Sequence, residues 1–365
     1  MNETWKNFIR NQGAVLEGNR VQHFGHPAEE RRAAAQGHVL ADLSDCSLIR
    51  ARGDDTQNFL NGQLSNDIRQ LDAAHSQLAS WCSPKGRMLV IFRLFRRPWM
   101  DKCRERQDVE SDRRDKDYLL QLPAMLLENT LKRLRMFVMR AKVTLESVDA
   151  ELVSIGLSGP DAKKILAEAA GFAPNGDNGC DTREDVTIMS LPGLFPRYEI
   201  VAPIAAVEKL WGSLKSKATP VGPAVWAWLD IMAGIPSVHP ETSEEFVPQM
   251  ANLEAVGGVN FKKGCYPGQE IVARMQYLGK LKQRMYRVHV EGDVLPCPGD
   301  SIYAPDFPGQ SAGTVVEAQP SPDGGYDLLA VIQISSAEAG ELHFGSETGP
   351  RLTLQPLPYS LPVSG

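Results

Sequence analysis

The amino-acid sequence predicts an α+β body followed by a separate all-β domain. Three observations carry that expectation. Between residues 40 and 280, short apolar runs of strand type alternate with segments of helical period, in β-α-β order with antiparallel hairpins among them. From Met285 onward helical pattern is absent, and short alternating runs are separated by turns rich in Pro, Gly and Asp. The length, 365 residues, allows two or three domains with sizeable cores.

Taken in order, 28–36 is a short helix after Pro27, and Leu43–Ala51 a strand. Asp54 and Asp55 are good caps for a helix over Thr56–Leu60, and 61–67 is a polar loop rich in amide side chains. Leu78–Trp81 and Met88–Phe95 form a hairpin whose turn, Ser83-Pro84-Lys85-Gly86-Arg87, carries two cations. The mixed-charge stretch 101–117 interrupts a strand pattern that resumes at Tyr118, so it reads as an exposed insert. Met125–Phe137 has helical spacing and Val138–Glu146 that of a strand. A strand at Leu152–Leu157 then leads into a helix opened by Pro160 and ended by Gly171. A polar loop (173–184), two strands (Val186–Leu191, Tyr198–Val201) and a helix (Ile204–Leu214) follow. Val225, Trp228, Leu229 and Met232 mark one face of a further helix, stopped by Gly234 and Pro236. No sequence repeat of fixed period is present, although the two mixed halves could be structural repeats.

Composition narrows the function classes. A net charge of −6 argues against a general nucleic-acid binder. No apolar run is long enough for a membrane helix. The first residues, MNETWKNFIRNQG, have neither the apolar core of a signal peptide nor the Arg/Ser-rich character of a transit peptide. The expected compartment is the cytoplasm, or a matrix in an organelle. Cysteines at 46, 82, 103, 180, 265 and 297 form no CxxC pair and no zinc spacing, so reduced thiols and no tightly bound metal are expected.

The chemistry concentrates in Phe261–Arg274. Cys265 stands just before Gly268, where a helix can start, and helix N-termini favour thiolate over thiol. From 262 to 287 the only acid is Glu270, which a first helical turn would use as a cap. Gly264 and Gly268 permit sharp turns and close approach. A small buried structural cysteine is the plain alternative. The polar, glycine-rich surroundings make a ligand-facing thiol an equal contender.

The run Lys263-Gly264-Cys265-Tyr266-Pro267-Gly268-Gln269-Glu270, with Arg274 after it, resembles the K-G-C-[YF]-x-G-Q-E signature of the YgfZ family. Ala233–Pro236, Phe246–Gln249, Asn252-Leu253, Phe59-Leu60, Gln63-Leu64, Asn66-Asp67 and the Lys85-Gly86-Arg87 turn extend the likeness over most of 40–340. The resemblance implies two interleaved ferredoxin-like α+β units (1–282) and a C-terminal β-barrel (283–365), arranged around a central channel. It further implies tetrahydrofolate or a derivative as ligand, and a role in assembly, repair or maintenance of iron–sulfur enzymes. Those enzymes or cluster-assembly proteins would be its partners, with Cys265 the working thiol. Tyr198-Glu199 looks like the pair that holds the pterin in the related aminomethyltransferases (T-proteins). Asn66, Asp67, Lys85 and Arg87 are further candidate folate contacts.

Two features of those transferases are missing. Their R-x-E-A-G segment reads Asp230-Ile231-Met232-Ala233-Gly234 here, and the hairpin turn offers no aspartate. Tetrahydrofolate-dependent aminomethyl transfer is therefore the second reading, since it needs a group that handles the folate nitrogen's proton. Two further alternatives are weaker. A thiol enzyme would want His239 or His289 as base, yet His239 reads as solvated and His289 as structural. A scaffold would grip a polyanion with the basic run 262–287.

Overall fold

The computed structural model describes residues 1–98, 117–277 and 279–361. The charged insert, Asp117 apart, lies outside them, as does Cys103. The chain opens with helix α1 (Glu3–Asn11), hairpin strands β1 (Val15–Glu17) and β2 (Arg20–His23), helix α2 (Pro27–Gln36) and strand β3 (Val39–Asp42). Asn2 caps α1 by accepting the Thr4 and Trp5 N–H groups, and Pro27 begins α2 where its missing N–H matters least.

Two α+β units of one topology follow. The first comprises β4 (Cys46–Arg52), α3 (Thr56–Gln63), β5 (Gln77–Cys82), β6 (Met88–Arg96), β7 (Tyr118–Pro123), α4 (Leu127–Val138) and β8 (Thr144–Ser147). The second comprises β9 (Leu152–Ser158), α5 (Ala162–Ala170), β10 (Cys180–Arg183), β11 (Val186–Leu191), β12 (Arg197–Pro203), α6 (Ile204–Leu214) and β13 (Thr219–Val221). The first sheet has the order β5-β6-β7-β4-β8, and the second β10-β11-β12-β9-β3-β13. These orders correspond strand for strand, except that β3 enters between β9 and β13. The first unit is thus threaded between β3 and the remainder of β3's own sheet, which makes the two units interleaved. The structural repeat is present without a repeat in sequence.

Helix α7 (Pro223–Met232) and a long irregular segment lead to α8 (Gln269–Tyr277). Then come β14 (Gln283–Val290), β15 (Ser301–Tyr303), β16 (Gly313–Pro320), β17 (Tyr326–Gln333), α9 (Ile334–Ala339), β18 (His343–Phe344) and β19 (Leu352–Gln355). Their sheet runs β18-β15-β16-β17-β14-β19. Its edge strands meet: Phe344 N–H donates to Pro350 O, Leu352 N–H to Leu342 O, and His343 bridges Arg351. That closes the sheet into a small barrel with its own core of Val288, Ile302, Val315, Leu328 and Ile332.

Strand alternation divides the second sheet's side chains. Tyr198, Ile200 and Ala202 pack with Trp5, Leu166 and Trp211 under α1, α5 and α6. The opposite face, with Val39, Met189 and Val201, meets Trp226, Trp228 and Leu229 of α7. A third core joins the first sheet to Ile231, Leu253 and the barrel residues Met285, Val316 and Leu329, so the barrel and the first unit share one apolar interior.

Several elements depart from expectation. Leu43–Ala51 is the end of a corner followed by β4, because Asp42 accepts the Ser44 hydroxyl at 2.5 Å and turns the chain. Helix α3 continues through Asn61 and Gly62 to Gln63. Helix α4 continues through Val138, leaving only Thr144–Ser147 as strand. The polar stretch 173–184 contains β10, and the all-β domain contains α9.

Candidate functional site

Beneath the junction of the two units and the barrel lies a cavity of about 180 Å³. Glu199 reaches it from β12, because residues 197, 199 and 201 point away from the Tyr198 core. Its cross-strand partner on β9 is Gly156, where a Cβ would stand 2.4 Å from the Trp226 ring. The missing side chain at 156 lets the Trp226 indole lie against β9 and form a flat apolar wall of the cavity. The Arg197 guanidinium sits 4.9 Å from the centre of that ring and donates to Asp230 Oδ1 at 2.5 Å. Arg197 is fully buried, and its Nε and Nη1 find no hydrogen-bond partner among the described residues.

Glu199 is 2% exposed and accepts a hydrogen bond from Gln121 Nε2. Burial pushes its carboxyl up to about 7, although the nearby Arg93 and the Gln121 bond favour the charged form. Arg93 also lines the cavity and donates to Asn178 Oδ1 at 2.9 Å and Ser76 Oγ at 3.2 Å. On the barrel side, His239 Nε2 and Glu317 Oε2 are 2.6 Å apart. Burial works against protonation of His239, but the Glu317 contact outweighs it and raises the imidazole above its ordinary value. Asp45, from the corner before β4, projects into the cavity. Asp45 is exposed; desolvation by the surrounding wall and the neighbouring acids Asp42, Asp230 and Glu317 raise its carboxyl.

The Cys265 segment lies elsewhere, against the hairpin turn of β5 and β6. Lys263 Nζ is buried and donates to Asn61 O and Leu64 O, both at 2.5 Å. Burial lowers its ammonium to about 8, while the Tyr266 ring, 4.8 Å away, supports the charge. Tyr266 is buried, and Gln269 Nε2 donates to Lys263 O at 3.4 Å. Gly268 packs backbone to backbone on Ser83 and Gly86. Between these anchors Gly264 and Cys265 are exposed just ahead of α8, whose first turn carries the exposed Glu270.

The structure therefore sorts the expected residues into groups. Glu199 lines the cavity. Tyr198 does not, because strict alternation turns it into the opposite core. Asn66 holds two backbone carbonyls, Leu78 O at 2.8 Å and Gly257 O at 2.7 Å. Asp67 accepts from Arg69 Nε at 2.8 Å and Nη2 at 2.9 Å, so both side chains serve their own loop. Lys85 is exposed at the hairpin tip and Arg87 donates to Glu245 O; neither lines the cavity. Nor is the basic run 262–287 a continuous patch. Lys263 is buried, and Arg284 is buried against Glu254 at 2.5 Å, which leaves Lys262, Arg274, Lys280 and Lys282 exposed. His239, expected in solvent, is a partly buried cavity residue.

Asp45, Arg93, Trp226, His239 and Glu317 were not expected in the site. Arg197 had a readable signal, since it stands two residues before Glu199 in a strand and so shares its face. The arginine missing from the α7 segment is thus matched by one from β12 that pairs with Asp230. Among the described residues, no group of three or more His, Cys, Asp or Glu could hold a metal ion, and no helix is long and apolar enough to cross a membrane.

No family model matches the chain. It is 32% identical over 327 residues to the tRNA-modifying protein YgfZ of Photorhabdus laumondii, covering 88% of this chain and 93% of that protein. The protein of the same name from Yersinia enterocolitica is 31% identical over 326 residues, with the same coverage. Among solved structures, the glycine cleavage system aminomethyltransferase T of Bartonella henselae superposes with a TM-score of 0.72. It covers 97% of this chain and 96% of its own at 16% identity, a likeness of fold.

Proposed function

The chain belongs to the YgfZ family, and on that premise we propose that it binds a reduced folate beside Glu199 and supports the assembly, repair or maintenance of iron–sulfur enzymes through Cys265. The relatives' name, tRNA-modifying protein, suggests that the enzymes served include some that modify tRNA. The observation that carries the folate part is the buried Glu199 carboxylate at the end of a cavity walled by Trp226. A pterin offers an amino group and a ring N–H side by side, and a carboxylate can accept both. Its flat ring suits the Trp226 face. Bound there, the folate would carry a one-carbon unit. Glu199 and Gln121 orient it, and the apolar wall keeps water out.

Calorimetry with tetrahydrofolate tests this reading. Wild type binds, and Glu199→Ala weakens binding by about tenfold or more, the scale of a lost hydrogen bond to a charged group. Unchanged affinity in that variant would remove Glu199 from the site. The thiol is tested separately. Cys265→Ser keeps wild-type folate affinity, because Cys265 lies outside the cavity lining, and loses the ability to restore iron–sulfur enzyme activity in a deficient strain. Full restoration by Cys265→Ser would rule out the thiol role.

A second reading, aminomethyl transfer to tetrahydrofolate, is favoured by one observation. Asp45 and the His239–Glu317 pair bring proton-handling groups to the cavity, although the hairpin turn has none. Stoichiometric methylenetetrahydrofolate formed from tetrahydrofolate and an aminomethyl donor would establish it.

A further inference from the structure

We propose that the cavity is built for a reduced pterin carrying a positive charge, such as the methenyl form, and that Asp45 selects it. The proposal rests on the reading of the cavity as a folate site. It starts from the charges on the cavity wall. Asp230 is matched by Arg197 at 2.5 Å. Glu317 is matched by His239 at 2.6 Å. Glu199 accepts from Gln121 and lies in the field of Arg93, whose own hydrogen bonds go to the neutral oxygens of Ser76 and Asn178.

Asp45 has no such counterpart. Among the described residues, no side chain donates a hydrogen bond to its carboxylate and no cation pairs with it. Three acids, Asp42, Asp230 and Glu317, act on it, and the cation that also feels it, His239, is already held by Glu317 at 2.6 Å. The wall therefore holds one carboxylate more than it has cations to match. An unmatched charge in such a place is costly, and it is relieved either by a proton or by a cation brought in from outside.

A ligand in the cavity can supply that cation, because Asp45 lines it, whereas Asp42 is buried and already accepts from Trp5 and Ser44. A neutral pterin takes nothing from the charge on Asp45. A cationic ring gains the attraction of a carboxylate that no other cation pairs with. Trp226 adds in the same sense, because an indole face attracts a cation. Asp45 comes from the corner before β4, an element apart from the Glu199 strand. The two carboxylates can thus serve different ligand groups, Glu199 the amino edge and Asp45 the charged ring.

The test compares methenyltetrahydrofolate, a cation, with its neutral formyl counterpart, by tryptophan fluorescence on the full-length protein. The wild type binds the cation about tenfold more tightly or better, the lower end of what one nearby opposite charge does. Asp45→Asn brings the ratio close to one while holding the affinity for the neutral form. Its thermal midpoint stays at or above that of the wild type, which separates selection from folding. Glu199→Gln weakens both ligands alike. Equal affinities in the wild type, with both ligands bound, would overturn the proposal and leave the folate reading standing. A preference that survives Asp45→Asn would overturn the role of Asp45. Binding of neither ligand would overturn the proposal together with the folate reading.

Discussion

Gly268→Ala is expected to destabilise the protein by about 3 kcal/mol, a large effect for one methyl group. Gly268 adopts φ +79°, in the left-handed region where a side chain alone costs about 1 kcal/mol. Space adds more. A Cβ at 268 would stand 2.4 Å from Ser83 O and 2.6 Å from Gly86 N and Cα. These are backbone atoms of the hairpin turn, which the Gly86 N–H to Ser83 O bond at 2.8 Å holds in place, so no side chain can rotate aside. Gly86 is the other half of the contact. It has φ +73°, and its own Cβ would meet Ile271 Cβ at 2.9 Å and Gly268 O at 3.1 Å.

The seat of α8 and of the Cys265 turn on the first unit is therefore a glycine-on-glycine contact. Opening it should displace Cys265 as well as lower stability. Denaturant titration measures the first, as a fall in midpoint at unchanged slope. Recovery of iron–sulfur enzyme activity measures the second. Gly264→Ala is the control. Nothing lies within 4 Å of a Cβ there and its φ is ordinary, so stability should change by no more than about 0.5 kcal/mol. If Gly264→Ala abolishes function with stability intact, the reason for glycine at 264 is the approach of another molecule to the exposed thiol. A wild-type midpoint for Gly268→Ala would mean that the junction is looser than described.

That junction also shows what was legible in the sequence. The Lys263–Glu270 motif and the Ser83–Arg87 turn each stood out by their glycines and cations. Their contact across 180 residues is tertiary, and no local pattern encodes it. Glu199 was legible from the Tyr-Glu pair, but strand period alone should have removed Tyr198 from the site and brought in Arg197. Asp45 and His239 were missed for a different reason. Each lies in an irregular segment, where periodicity assigns no face, and each enters the cavity through the packing of three separate bodies. His239 is held by a barrel residue, Glu317, 78 positions away. Two interleaved α+β units are what the family resemblance implies, whereas periodicity alone gives only separate runs of strands and helices. The sheet orders bear that expectation out, since β3 joins the second sheet from ahead of the first unit. Side-chain cations were over-read: Lys263 and Arg284 looked like surface charge, and both are buried tethers.

Without ligand, the protein should lose stability as pH rises from about 5 to about 8, and reduced folate should flatten that dependence. Glu199 carries the argument. Its carboxyl is raised from 4.5 to about 7 by burial, so between those values the folded state holds a proton that the unfolded chain has released. Stability from this group is fully present below 4.5 and is lost as pH climbs through 7. The shift corresponds to about 3 kcal/mol at most. Asp45, raised by desolvation and its acid neighbours, acts in the same direction, but it is exposed and solvent screening reduces its share. His239 adds in the same sense, since its imidazole is raised through Glu317 and its contribution is lost above the raised value. Asp67 and Asp72, whose carboxyls are lowered, act only below the ordinary carboxylate range and leave this window untouched. Glu199→Gln removes the ionisable group while retaining its shape, so the variant should be more stable than wild type at pH about 8 and nearly level with it at about 5. Ligand reverses the sense of the comparison. A pterin whose N–H donors need the carboxylate expels the Glu199 proton on binding, so a proton should be released near neutral pH. Calorimetry in buffers of different ionisation enthalpy reads that release directly. Thermal midpoints that stay flat from pH about 5 to 8 in the absence of folate would show that Glu199 is charged in the empty cavity, with Arg93 outweighing its burial.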